Sequence, residues 1–272
     1  MLYMKLIEIS DLKKIQLSIL HEVASFCDKN GIRYFLSYGT LLGAVRHKGY
    51  IPWDDDIDIM MPRVDYMKFI QSFNEYDSKS KVISHYLDSK YPWPFAKVID
   101  TTTTMEEYIN YAYADMGVYI DVFPIDGLPS NKKQIIKLFR KAKILKLIIS
   151  MKRGKKFHSR SVLQNFILNF SFIFSFIDYA KLVKKFDKII SLYPFDEAEY
   201  TAILVEVGDG IIECIPRTFY DQKVSLPFED GLFNAPGEYE KWLEYIYGDY
   251  MTLPPIEKRI SHHANNAYYK EE

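Results

Sequence analysis

At 272 residues, with 48% hydrophobic and 16% aromatic content, the chain can bury a sizeable core as one large domain or two small ones. Gly and Pro number only 12 each, and the composition excludes a disordered, low-complexity or coiled-coil protein. The formal net charge of −1 hides a segregation: no acid lies between Asp126 and Asp178, where twelve cations run from Lys132 to Arg160, leaving about −13 for the rest.

The first helix is predicted over residues 10–30. Ser10 suits its N-cap, Leu12, Ile15, Ile19, Val23 and Phe26 recur at helical spacing, and Asn30-Gly31 stops it. A short strand follows over 33–38. A glycine turn at Gly39 then passes into a short helix with Thr40 as its cap. Residues 56–60 alternate as a strand, with Asp56 and Asp58 on one face and Ile57 and Ile59 on the other. Pro62 precedes a helix over 64–73, and further strands are predicted over 94–99 and 117–123, the latter ended by Pro124. Helix signals dominate 130–192, and the tail reads as a helix around 239–247, a Gly248 break, a Pro254-Pro255 turn and a short final helix. The expected fold is mixed α/β (α+β): a small mixed sheet flanked by helices, with a basic helical insertion and a helical C-terminal region. The expected division is 1–126 for the catalytic core, 127–192 for the basic insertion and 193–272 for a region completing the catalytic domain.

Trp53-Asp-Asp-Asp-Ile-Asp-Ile59 carries four carboxylates in five positions. On one strand face Asp56 and Asp58 repel each other, by about 4 kcal/mol at a separation of 4 Å and an effective dielectric near 20. A divalent cation removes that repulsion, and hard oxygen ligands suit Mg²⁺ or Mn²⁺. A solvated acidic loop is the bland alternative, but the alternating isoleucines argue for a strand held on a core with its acids in a cleft. A calcium loop fails because Ile59 stands where the sharp turn needs glycine. Gly39-Thr40 at a helix start offers amides and a hydroxyl to phosphate. Asp121, set between Ile120 and Val122 on a predicted strand, offers a third carboxylate.

The stretch Tyr38-Gly-Thr-Leu-Leu-Gly-Ala-Val-Arg-His-Lys-Gly-Tyr-Ile-Pro-Trp-Asp-Asp-Asp-Ile-Asp-Ile-Met-Met-Pro-Arg63 resembles the signature of the LicD family, which includes bacterial phosphocholine transferases and relatives that transfer polyol phosphates. Lys97 in Pro94-Phe-Ala-Lys-Val98, the stretch Ile120 to Asp126, and Tyr247-Gly-Asp-Tyr250 with the following prolines and histidines support it, while 130–230 adds little. The resemblance implies a nucleotidyltransferase-like core: Gly39-Thr40 as the phosphate turn, Asp56 and Asp58 as the metal pair, and Asp121 as third acid and candidate base. Catalysis and metal binding are thus assigned to Asp56, Asp58 and Asp121, with Mg²⁺ (or Mn²⁺) as cofactor. Substrate binding is assigned to Gly39, Thr40, Arg46, His47, Trp53, Arg63, Lys97 and His262.

The expected reaction moves phosphocholine from CDP-choline onto a sugar of a teichoic acid, capsule or lipopolysaccharide precursor and releases CMP. Glycerol or ribitol phosphate is the alternative cargo. A nucleotide-sugar glycosyltransferase and a metal- or anion-binding module are the rival classes. Tyr50, Trp53, Tyr91 and Trp93 flank the acids and could face a quaternary ammonium. The basic run followed by apolar 162–174 suggests contact with an anionic membrane through 132–177, near a lipid-linked acceptor. No nucleic-acid motif accompanies the charge. With no signal-peptide pattern, no long apolar run and two dispersed cysteines, a cytoplasmic location is expected, at most peripheral on the inner membrane face.

Overall fold

The computed structural model of the chain describes residues 5–106, 109, 111–153, 176–207, 213–259 and 266–271. Helix α1 (Ile9–Asn30) buries Ile19, Leu20, Val23, Phe26 and Cys27, and ends on Gly31 at φ 62°, whose N–H returns to the Cys27 carbonyl. Its N-cap is Glu8, and Ser10 lies within the helix, not at its cap. The backbone bond from Ile7 N–H to the Ala267 carbonyl (2.8 Å) pins the chain just before the helix and sets its start early. Strand β1 (Phe35–Leu36) is shorter than its hydrophobic run, because Tyr38 already opens α2 (Tyr38–Arg46).

Strand β2 (Asp58–Pro62) leads directly into α3 (Arg63–Ser72), followed by β3 (Ser80–Ile83), β4 (Ala96–Asp100), β5 (Thr103–Met105) and β6 (Tyr119–Gly127). The sheet order is β1-β2-β6-β4-β3, with β2 and β6 parallel and the other neighbours antiparallel. Pro124 does not end β6. On one side it is in register with Met61 of β2; on the other, pairing with β4 stops at Val122 and pairing with β7 (Tyr200–Ala202) begins at Asp126. The missing N–H of the proline therefore falls in the gap between two ladders, where it costs no bond.

Helices α4 (Lys132–Arg153) and α5 (Tyr179–Ile190) follow, and β8 (Ile215–Pro216) extends the sheet beyond β7. Among the described residues, the stretch 193–272 adds strands as well as helix. A hairpin of β9 (Lys223–Phe228) and β10 (Gly231–Pro236) precedes α6 (Tyr239–Tyr247), and β11 (Ala267–Tyr269) returns to pair with β5. After the prolines, the described residues form one 3-10 turn, Ile256–Lys258. One apolar cluster takes in Val98, Ile120 and Val122 of the sheet, Leu138 and Phe139 of α4, Phe186 of α5 and Trp242 of α6. Residues of all three expected stretches thus share a core. No helix among the described residues is long and apolar enough to cross a membrane.

Helix α5 is fixed to the sheet by charge as well as by apolar contact. The Arg63 guanidinium donates to both carboxylate oxygens of Asp126 (2.7 and 2.6 Å) and to Asp187 of α5 (2.9 Å), and the Tyr86 hydroxyl also donates to Asp187. Burial pushes the Asp187 carboxyl up, but His85, Arg63 and Tyr86 outweigh it and hold the group below its ordinary value. A carboxyl so lowered stabilises the fold above its unfolded value, and that contribution disappears as pH falls through the folded one. Asp187→Asn should therefore cost about 2 kcal/mol at neutral pH. In urea titrations the deficit against wild type should shrink below the ordinary carboxylate range. Hydrogen exchange should rise first in α5.

Candidate active site

Strand register puts the chemistry in one row. Asp58 of β2 pairs across with Asp121 of β6, which pairs with Lys97 of β4. Residues opposite each other on adjacent strands share a face of the sheet, with backbones about 4.8 Å apart. Two carboxylates are thereby held side by side, and they are answered unequally. Lys97 is buried and its ammonium bonds to Asp121 Oδ1. It also lies 3.5 Å from the Tyr119 ring centroid, 4.9 Å from that of Trp93 and 5.3 Å from that of Phe95, an aromatic enclosure that helps offset its desolvation. No basic side chain among the described residues pairs with Asp58. Burial and the charges of Asp56, Asp121 and Asp54 push its carboxyl well above the ordinary range.

Helix α2 braces this row from below. Ser37 occupies the cap position, so Thr40 lies inside the first turn instead of capping it, and its Oγ1 accepts the Asp58 N–H at 2.8 Å. Thr40 is buried in this role and positions the acid strand. Gly39 lines the cleft. A Cβ there would stand 2.7 Å from Asp54 Oδ2, so only glycine lets that carboxylate lie against the helix start. Tyr38 enters the helix at φ 38°, a left-handed position that costs a non-glycine residue about 1–3 kcal/mol. Edge-on packing against Phe123 and Trp242 holds its ring, and its hydroxyl donates to Glu213 Oε2 at 3.0 Å.

A cleft of about 380 Å³ opens over these groups, lined by Tyr38, Gly39, Asp54, Asp56, Asp58, Phe123, Glu206, Glu213 and Tyr247. Glu206 is tied to Lys146 of α4 at 3.3 Å. Burial pushes the Glu213 carboxyl up to about 7; the Tyr38 hydroxyl lowers it, the Glu206 charge raises it and Lys146 lowers it. A second compartment of about 380 Å³ shares Gly39, Asp54 and Tyr247 with the first and adds Arg46, Trp53, Asp249 and Tyr250. There Arg46 donates to the Tyr250 carbonyl (2.7 Å) and to His47 Nε2 (3.0 Å), and Arg259 stands over the Trp53 ring. Burial and then the Arg46 charge hold His47 below its ordinary value, which keeps its ring nitrogen an acceptor.

Of the residues named from sequence, Asp56, Asp58, Gly39, Arg46 and Trp53 line this joined cleft, and His47 backs it. Asp121 and Lys97 stand beside it in the same strand row. Arg63 is placed apart, with its guanidinium spent on Asp126 and Asp187. His262 lies outside the described residues. Among the described residues no three acid, His or Cys side chains are assembled to hold an ion on their own. Sequence reasoning missed Glu206 and Glu213, which bracket Val-Gly-Asp-Gly-Ile-Ile in a stretch without a familiar motif. Two acids flanking a glycine-containing stretch of sequence were the available signal.

The family model described as LicD/FKTN/FKRP, nucleotidyltransferase domain, matches residues 31–143. The lipopolysaccharide cholinephosphotransferase LicD of Haemophilus influenzae is 30% identical over 269 residues, covering 97% of this chain and 99% of that protein. An uncharacterised protein of Rickettsia typhi is 37% identical over 48% of this chain and 41% of its own length. The mannosyltransferase regulator 4 of Saccharomyces cerevisiae is 30% identical over 42% of this chain and 10% of its own. Agreement along nearly the whole length of the Haemophilus protein, with the matched domain spanning the acid row, settles the kinship: the chain belongs to the LicD family.

Proposed function

We propose that this protein is a phosphotransferase that moves phosphocholine from CDP-choline onto a sugar of a cell-surface glycan precursor and releases CMP. The observation that carries this reading is the strand row in which Asp121 has a protein cation and Asp58 has none among the described residues. Likeness along the whole chain to a protein named a lipopolysaccharide cholinephosphotransferase supports choline as the cargo and a glycan as the acceptor.

The donor set is all oxygen and carries surplus negative charge, which fits Mg²⁺ or Mn²⁺. Asp56 and Asp58 would hold the ion, with Asp121 alongside. Because the described acids form no closed cage, donor phosphate oxygens would complete the shell, as Mg²⁺ sites commonly require. Such an ion, when bound, neutralises charge on the donor phosphates and the leaving oxygen. Arg46 supplies a guanidinium to the donor phosphates from the second compartment. Trp53 and Tyr250, with Asp249, offer ring faces and a carboxylate to a quaternary ammonium. A zwitterionic phosphocholine thus meets both signs of charge there. Of the other aromatics named from sequence, Tyr91 is buried against Tyr113, Trp93 belongs to the Lys97 enclosure, and Tyr50 is bonded to Gln16. In the reaction the acceptor oxygen attacks the phosphorus distal to the nucleoside, and the bond from that phosphorus to CMP breaks.

Helix α4 presents an outer stripe of Lys133, Lys137, Arg140, Lys141, Ile144 and Leu147, all exposed, with Ile144 at 59% and Leu147 at 53%. Cations followed by bare aliphatic side chains on one face suit an anionic lipid surface, and Lys146 and Arg153 on the same helix reach Glu206 and Trp93 near the cleft. A lipid-linked acceptor would be met at that surface. The apolar run 162–174 lies outside the described residues.

Purified protein with Mg²⁺ should release CMP from CDP-choline within a panel of CDP-linked donors, and chelation should abolish the release. Asp58→Asn should lower the rate roughly 10³-fold; full activity in that variant, or preference for CDP-glycerol or CDP-ribitol, would refute the corresponding part of the reading. Gly39→Ala should lower kcat/KM about 10²-fold, because Asp54 must move from the helix start. Sedimentation with phosphatidylglycerol vesicles should pull the protein down in low salt. The double variant Lys137→Gln/Lys141→Gln should bind about 30-fold more weakly, and equal binding to phosphatidylcholine vesicles would exclude an electrostatic surface.

A further inference from the structure

Transfer to a hydroxyl requires a group to take its proton, and the acids of the site are not equivalent for that task. Asp121 is bonded to the Lys97 ammonium, which keeps its charge answered and one oxygen engaged, and it is not among the residues lining the cleft. Asp56 and Asp58 are the acids assigned above to the cation. Glu206 is paired with Lys146. Glu213 differs from all of these. It lines the cleft, and among the described residues its carboxylate meets one donor, the Tyr38 hydroxyl, at Oε2. Its other oxygen is left with no protein donor among them.

We propose that Glu213 is the general base of the transfer, accepting the acceptor hydroxyl's proton at Oε1 while Tyr38 fixes the carboxylate through Oε2. This rests on the phosphotransfer reading above. In the step the acceptor O–H bond breaks and its proton passes to Glu213. The freed oxygen pair forms the new O–P bond, and the bond from phosphorus to the nucleoside monophosphate breaks with its electrons leaving on CMP. Glu213 then returns the proton to water. Two further observations support the assignment. The strained backbone of Tyr38 is the kind of expenditure found where a side chain must be held in one place. The carboxyl, pushed up to about 7 by burial, sits where a base works best near neutral pH. The charged and titratable groups around it are Tyr38 from α2, Glu206 before it in the chain, Lys146 from α4, Tyr220, and Tyr247 from α6; burial pushes all three phenols up, so they stay neutral.

The test measures CMP release by wild type, Glu213→Gln, Glu213→Asp and Tyr38→Phe from pH 5 to 9 with saturating CDP-choline, together with calorimetric donor binding and circular dichroism. Wild type should show an acid limb near pH 7. Glu213→Gln should lower kcat by about 10²–10⁴-fold and lose that limb, with donor affinity within threefold of wild type. Glu213→Asp should recover part of the rate. Tyr38→Phe removes a hydrogen bond that both favours the ionised carboxylate and fixes its position, so its limb should move to higher pH and its alkaline plateau should fall below that of wild type. A Gln variant within threefold of wild-type kcat, or a Tyr38→Phe limb that does not move, overturns the assignment. If the Gln variant fails to fold, the Asp and Phe variants decide by the same criteria. Absence of CMP release by wild type from every donor overturns the phosphotransfer reading and this base with it, a result distinct from loss confined to the variants.

Discussion

Two carboxylates on adjacent parallel strands cannot separate without breaking the ladder between them, and that constraint organises the site. The bonds that build the β2–β6 pair force Asp58 and Asp121 onto one face, with their backbones about 4.8 Å apart. A third strand places Lys97 in the same row, and its ammonium bonds to Asp121. Burying a lysine is costly unless it is paired, and here the carboxylate and three aromatic rings supply the compensation. Asp58 receives no such partner from the described residues. Burial and the neighbouring charges of Asp56, Asp121 and Asp54 push its carboxyl well above the ordinary range, and a bound cation would relieve that crowding.

A second cluster of the same residue types shows what a balanced arrangement looks like. Near the C-terminal ends of the same two strands, Arg63 satisfies Asp126 and Asp187 at once, and Tyr86 completes the network. Nothing there calls for an outside ion. The cluster joins α5 to the sheet and explains why Arg63, although it closes the signature stretch, stands away from the cleft. One strand pair thus carries compensated charge at one end and uncompensated charge at the other. The first joins α5 to the sheet, and the second faces the cleft.

The legible parts of the chain were those fixed by local period. Helix α1 and its Gly31 stop, helix α3 after Pro62, and strands β2 and β4 all follow from residues within a few positions of one another. Asp58 and Asp121 were readable for the same reason, since each lies between apolar neighbours, whereas Asp56 follows Asp55 and precedes β2. What escaped was set by distant partners. Pro124 sits inside β6 because two ladders happen to leave a gap there, which no local rule contains. Arg63 was read as a phosphate contact because Asp187, 124 residues away, is not visible from its neighbourhood. Strands β7, β8 and β11 are two or three residues long, and they are defined by what they pair with more than by their own pattern. Glu206 and Glu213 reach the cleft through the β7 and β8 region, so they shared that obscurity.

Tyr38 ties these elements together. Its left-handed backbone sits at the junction between β1 and α2, where a glycine would have been the easier choice. Glycine would have lost two things: the ring that wedges between Phe123 of the acid-bearing strand and Trp242 of α6, and the hydroxyl that reaches Glu213. Gly39 follows immediately, so the glycine of this turn is spent on admitting the Asp54 carboxylate, and the strain falls on its neighbour. Through these two residues the start of one short helix sets the positions of Asp54, of Asp58 by way of Thr40, and of Glu213. The first turn of α2 is therefore the frame on which carboxylates from separate parts of the chain are aligned, and its conspicuous glycine pattern reflects that framing as much as any contact with phosphate.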